Sequence, residues 1–195
     1  MLASRPDLFD FLPVESGPEG PDPDFLHANF LHWMHRPMLA RSDALYAPSN
    51  VLITLRDQDT IAIFDFEKGA LVWAWGQGEL LRPHDATVLA DGNILVFDNR
   101  MGEGASRIIE LDPIAREIVW EYPRGDALEF YSRTRGTVQR FPNGNTLIGE
   151  SNRGRAFEVS PEADVVWEYR TPYRNEKSQP AIFRLKRYPS SEIAR

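Results

Sequence analysis

At 195 residues and 42% hydrophobic content, the chain can bury one sizeable core and does not need a second domain. Its net charge of −7, with both signs mixed along the sequence, argues against nucleic acid as a partner, and no apolar run reaches the length of a membrane span. Cysteine is absent, which excludes disulfides and thiolate metal sites.

The start, Met1 to Ser16, lacks a basic stretch followed by an apolar one and does not read as a secretory signal. Residues 1–26 form an irregular lead-in, since Phe11 to Asp24 combines prolines with Gly17 and Gly20. From there a pattern repeats. A candidate strand, His27 to Met34, precedes a turn and second strand at Ser49-Asn50-Val51-Leu52-Ile53. A third strand follows at Thr60 to Asp65, then a turn from Phe66 to Ala70, and a closing strand that ends Trp73-Ala74-Trp75. The second unit runs through His84 to Leu89, Asp91-Gly92-Asn93-Ile94-Leu95-Val96, Arg107 to Asp112 and Trp120-Glu121-Tyr122. The third runs through Thr137 to Phe141, Asn143-Gly144-Asn145-Thr146-Leu147-Ile148, Arg155 to Ser160 and Trp167-Glu168-Tyr169. Asp-Gly and Asn-Gly tolerate positive φ and predict two-residue hairpin turns. Arg170 to Gln179 is polar and reads as a loop, and Ala181 to Tyr188 alternates well enough to be a last strand.

Trp73, Trp120 and Trp167 stand 47 residues apart. A four-stranded propeller blade with its turns takes up about 40 to 50 residues. The expectation is therefore an all-β, β-propeller portion of three four-stranded blades, 27–75, 84–122 and 137–169, with a terminal strand at 181–188. The Trp column then reads as packing between blades. Closed propellers generally have about four to eight blades. Three blades leave two flanks, to be covered by a second copy in a homodimer or by a missing half of the propeller, or left open in a stacked array.

The string Pro83-His84-Asp85-Ala86 through Asp91-Gly92-Asn93-Ile94-Leu95-Val96-Phe97-Asp98-Asn99, followed by Ser106-Arg107, resembles the bacterial arylsulfotransferase family. So do His27-Ala28-Asn29 upstream and Pro142-Asn143-Gly144-Asn145-Thr146-Leu147-Ile148 downstream. The resemblance covers about His27 to Tyr188. It implies the C-terminal half of a six-bladed propeller, transfer of a sulfuryl group from a phenolic sulfate ester to a phenol, and an often exported protein. It also implies that His27 and His84 take active-site histidine positions and that Arg107 takes the arginine position, with Asn29, Arg56 and Asn99 as candidate substrate-binding residues.

Sulfuryl transfer asks for a base or nucleophile and for cationic donors around the sulfate oxygens, roles that imidazole and guanidinium can fill without a cofactor or metal. The family's further histidine, the group that becomes sulfated, has no counterpart, because no His follows His84. The corresponding region offers Arg133, Arg135, Thr137 and Gln139. A catalytically silent propeller serving as a ligand-binding or assembly domain is the alternative. His27, His32 and His35 have a spacing that invites zinc, but no Cys or close carboxylate completes the set. Asp98 and Asn99, ending a strand, read more simply as turn caps than as metal oxygens. Asp65 and Gly69 to Trp73 also resemble quinoprotein dehydrogenase repeats, through packing and turn chemistry alone.

Overall fold

The computed structural model describes residues 16–17, 20–21, 24–123, 130–174 and 180–188. After a two-residue ladder of β1 (Ser16–Gly17) and β2 (Gly20–Pro21), the chain forms three four-stranded antiparallel sheets. The first holds β3 (Ala28–Trp33), β4 (Asn50–Leu55), β5 (Thr60–Asp65) and β6 (Ala70–Trp75). The second holds β7 (His84–Val88), β8 (Ile94–Asp98), β9 (Arg107–Asp112) and β10 (Glu117–Tyr122). The third holds β11 (Thr137–Arg140), β12 (Thr146–Glu150), β13 (Arg155–Val159) and β14 (Val165–Arg170). Strands lie in chain order within each sheet, and the first strands β3, β7 and β11 neighbour one another. This is a β-propeller portion with three blades and with β6, β10 and β14 at the rim.

Alternation along the strands places one core between each pair of blades. Leu52, Ile61 and Ile63 of the first blade meet Ala86, Val96 and Ile109 of the second. Leu95, Phe97 and Ile108 from the other face of the second blade meet Val138, Ile148 and Phe157 of the third. Burying such side chains stabilises by roughly 1.5–3 kcal/mol each, so the cores fix the stacking.

The repeat governs fine detail. In every blade the rim strand bulges one residue before its Trp, leaving Val72, Val119 and Val166 unpaired in the ladder and exposed. The indole N–H of Trp73 donates to Pro113 O (3.0 Å), and that of Trp120 to Pro161 O (3.1 Å), so each tryptophan is fastened to the same turn of the next blade. Among the described residues no blade follows Trp167, which is 42% exposed and stacks on Tyr169. The turn before each rim strand is capped alike, with Asp65, Asp112 and Ser160 accepting backbone N–H groups two and three or four residues on.

Two expectations change. The hairpins after β7 and β11 are three-residue loops, closed by Leu89 N–H to Asn93 O and Phe141 N–H to Asn145 O, with positive φ at Gly92 and Gly144. A type I turn followed by a left-handed residue matches strand twist as well as a two-residue turn does. Residues 181–188 form no strand; a single bridge joins Arg174 and Pro180, and the segment runs alongside β11, held mainly by side chains.

Candidate functional site

At the end of the blades where β3, β7 and β11 begin, a cavity of about 300 Å³ opens. His27, Asn29 and Phe30 enter it from the first blade, His84 and Asp85 from the second, and Arg135 and Thr137 from the third, with Phe183 and Arg184 on the C-terminal segment. The backbone is held in the left-handed region at three of these non-glycine residues, His27 (φ 41°), Asp85 (φ 49°) and Arg135 (φ 64°). Such strain persists only where surrounding packing over-determines it, and it gathers at ligand sites. Gly136, at φ 111°, lies so close to the Phe97 ring that a Cβ would stand 2.6 Å from it, so no side chain fits between the cavity and the core.

His84 is the best-determined group. Its Nδ1 faces two acceptors, Asn99 Oδ1 at 2.7 Å and Arg82 O at 3.2 Å. The Asn99 amide is oriented unambiguously, because its Nδ2 donates to Ser132 O (2.7 Å) and Arg135 O (2.6 Å). Nδ1 must therefore carry the proton, leaving Nε2 with a lone pair that takes only a long 3.3 Å bond from the Arg135 N–H. Burial lowers the pKa of His84, aided by the charges of Arg56 and His27 and opposed by the Asn99 and Arg82 hydrogen bonds, and so favours the neutral ring. His27 lies across the cavity with its Nδ1 2.5 Å from Asp24. Asn29 donates from Nδ2 to Pro83 O (3.0 Å), while its buried Oδ1 has no hydrogen-bond partner among the described residues.

Two guanidiniums complete the lining, each against an aromatic face: Arg135 over Phe183 (5.2 Å) and Arg184 over Phe30 (5.2 Å). A site of this make-up offers an anion two cations, an aromatic group two phenyl walls, and a transferable proton a neutral imidazole.

Arg107 does not line the cavity. Its Nε donates to Asp98 Oδ2 (2.8 Å), its Nη2 to Glu79 O (2.7 Å), and Nη1 lies 3.8 Å from Glu121. Arg155 occupies the matching place one blade later, beside Glu150 (3.5 Å) and Glu168 (2.8 Å), so this arginine is a rim clamp of the repeat. Asn99 is buried behind His84 and touches that ring without lining the cavity. Arg56 pairs with Asp57 (3.1 Å) and influences His84 by charge without lining the cavity. His32 accepts the Val88 N–H at Nδ1 (2.9 Å), which ties that ring nitrogen to the second blade, and its pKa is lowered to about 4 by burial and by the charges of Arg36 and Lys186. Asp98 accepts the Leu81 N–H (2.9 Å) and pairs with Arg107, a contact across 17 residues in place of the local turn cap expected from the sequence.

The arylsulfotransferase (ASST) family model matches residues 18–172, most of the chain. The chain belongs to the arylsulfotransferase family. No curated protein matches it in sequence. Among solved structures it is similar to a protein of unknown function from Bacteroides caccae, at 15% identity and a TM-score of 0.45, over 67% of this chain and 47% of that one. It is also similar to hydrazine synthase of Kuenenia stuttgartiensis, at 13% identity and a TM-score of 0.47, over 64% and 33%. Virginiamycin B lyase of Staphylococcus aureus matches at 20% identity and a TM-score of 0.42, over 64% and 38%. In each case the chain spans less than half of the other protein.

Within this arylsulfotransferase-family chain, the sequence pointed to His27, His84 and Asn29 and under-read Arg135, Phe183 and Arg184. A signal for the last two was present. Arg184-Leu185-Lys186-Arg187-Tyr188 repeats the pattern of Thr137-Val138-Gln139-Arg140-Phe141 at the 47-residue period of the tryptophans.

Proposed function

We propose that the cavity transfers a sulfuryl group from an aryl sulfate to a phenol. The observation that carries this reading is the convergence on one cavity of a neutral, tautomer-fixed His84 with two aromatic-backed guanidiniums. The sulfate oxygens face Arg135 and Arg184, and the aryl group lies between Phe30 and Phe183. His84 Nε2 accepts the proton of the incoming phenol as its oxygen forms a bond to sulfur. The bond from sulfur to the departing phenolic oxygen breaks, and His27 or solvent protonates that phenolate. Asn29 Oδ1 supplies an acceptor for the incoming hydroxyl before transfer. Such a direct route suits a chain with no His after His84.

The same absence favours a silent binding domain as the second reading, and one assay separates the two. With 4-nitrophenyl sulfate and phenol, nitrophenolate release is expected and should fall roughly 10²–10⁴-fold in His84→Ala, the usual contribution of a general base. Equal rates for wild type and variant would eliminate the enzymatic reading. Mass spectrometry of the quenched reaction distinguishes direct transfer from a sulfated histidine.

A further inference from the structure

The segment 181–188 belongs to no sheet, yet it is fastened along the inner edge of the third blade. Ile182 N–H donates to Ser151 O (3.1 Å), and the Thr137 hydroxyl donates to Leu185 O (3.3 Å). The Gln139 side chain takes the place of a strand: its Nε2 donates to Arg187 O and its Oε1 accepts the Arg187 N–H, both at 2.9 Å. Arg187 reaches Glu158 (2.6 Å) just as Arg140 reaches Glu110 (2.6 Å) one blade earlier, with Asn145 and Asn93 bonded to the same two carboxylates. The segment therefore has the sequence and the contacts of a repeat's inner strand, laid against β11 as a strap.

Lys186 departs from that pattern. Its ammonium turns inward and donates to Asp85 Oδ2 (3.0 Å) and Val138 O (2.8 Å). Asp85 is buried in the cavity wall and also accepts the Val138 N–H (2.7 Å), so one carboxylate joins β7, β11 and the strap across 101 residues of sequence. The two strap residues that line the cavity, Phe183 and Arg184, stand just before this anchor.

We propose that Lys186 is a positioning residue: by tying the strap to Asp85 it holds Arg184 over Phe30 and Phe183 beside Arg135, and so sets the affinity of the cavity for sulfate esters. This rests on the reading of the cavity given above, and its test has a readout independent of turnover.

Lys186→Met should raise KM for 4-nitrophenyl sulfate about tenfold, as expected for one misplaced charge-assisted contact, with kcat changed little. Arg184→Ala should weaken binding of the ester at least as much and lower kcat as well, since its guanidinium faces the sulfate oxygens, and Lys186→Arg should restore the wild-type KM. Because Lys186→Met leaves a buried carboxylate unpaired, the double variant Asp85→Asn/Lys186→Met releases the strap without that charge and should show the same KM change if folding of the single variant fails. Calorimetric titration with 4-nitrophenyl sulfate, read beside amide hydrogen exchange of residues 181–188, separates the two hypotheses. Wild-type binding without turnover, weakened tenfold in Lys186→Met with faster strap exchange, retains the strap and removes the sulfotransferase reading. The strap inference is overturned if the variants bind as tightly as wild type, or if wild type does not bind the ester at all.

Discussion

At the rim, Arg107 sits between Asp98 and Glu121, and Arg155 between Glu150 and Glu168, at matching positions of neighbouring blades. In the first blade the three positions are Thr60, Leu55 and Ala74, so all three members of the clamp are missing together. The inner ends follow no such rule: they present His27 and Phe30, then His84 and Asp85, then Arg135 and Thr137. Residues that recur with the repeat answer a demand every blade makes, whereas the cavity needs different groups from each blade and so draws on positions where the repeat is silent.

The comparison can be broken most directly at the clamp. Arg107→Met leaves Asp98, fully buried, without its counter-ion and should destabilise the protein by about 3–5 kcal/mol in urea unfolding. The affinity of the folded variant for 4-nitrophenyl sulfate should stay at the wild-type value. Weakened binding without a stability loss would put Arg107 in the site after all. Asn99→Ala tests the other side: with His84 Nδ1 left only the longer bond to Arg82 O, the ring is less firmly held in its tautomer and orientation, and nitrophenolate release should drop by up to roughly 10²-fold, the low end of a general-base contribution. Unaltered turnover would reduce Asn99 to scaffolding.

A smaller effect separates the tryptophans. Trp120→Phe removes the bond to Pro161 O and should cost about 0.5–1.5 kcal/mol, while Trp167→Phe should cost less than about 0.5 kcal/mol, both read from the denaturation midpoint. The least demanding measurement is the pH dependence of stability. His32 has its pKa lowered to about 4 by burial, so between there and its ordinary value near 6.5 the unfolded chain binds the extra proton. Its contribution is present above pH 6.5 and is lost as pH falls toward 4. His32→Asn, which can still accept the Val88 N–H, should flatten the midpoint across that window.

The blades were legible because Trp73, Trp120 and Trp167 mark a period, and a period carries the bulge, the capped turn and the indole bond with it. That His27 and His84 come together at one cavity was legible through the family resemblance. Arg107 was placed in the site by the family resemblance, although the repeat sets it over Arg155 and Glu121 over Glu168; what the sequence could not show is that each arginine closes on two acidic side chains from the neighbouring strands and turns away from the cavity. Asn99 could not be told from a ligand-binding amide, since its role depends on carbonyls of Ser132 and Arg135 more than 30 residues on. The strap was read as a strand because its alternation is genuine. What alternation could not reveal is that side chains, with Gln139 foremost, do the pairing.

The indole bonds carry one more consequence. Each joins a blade only to its successor, so cohesion passes along the row link by link, as between stacked coins. In a linear array of this kind the middle member has two neighbours and the outer members one each. Hydrogen exchange should accordingly be slowest in β8 and β9, and the third sheet, whose Trp167 indole makes no such bond among the described residues, should loosen before the second.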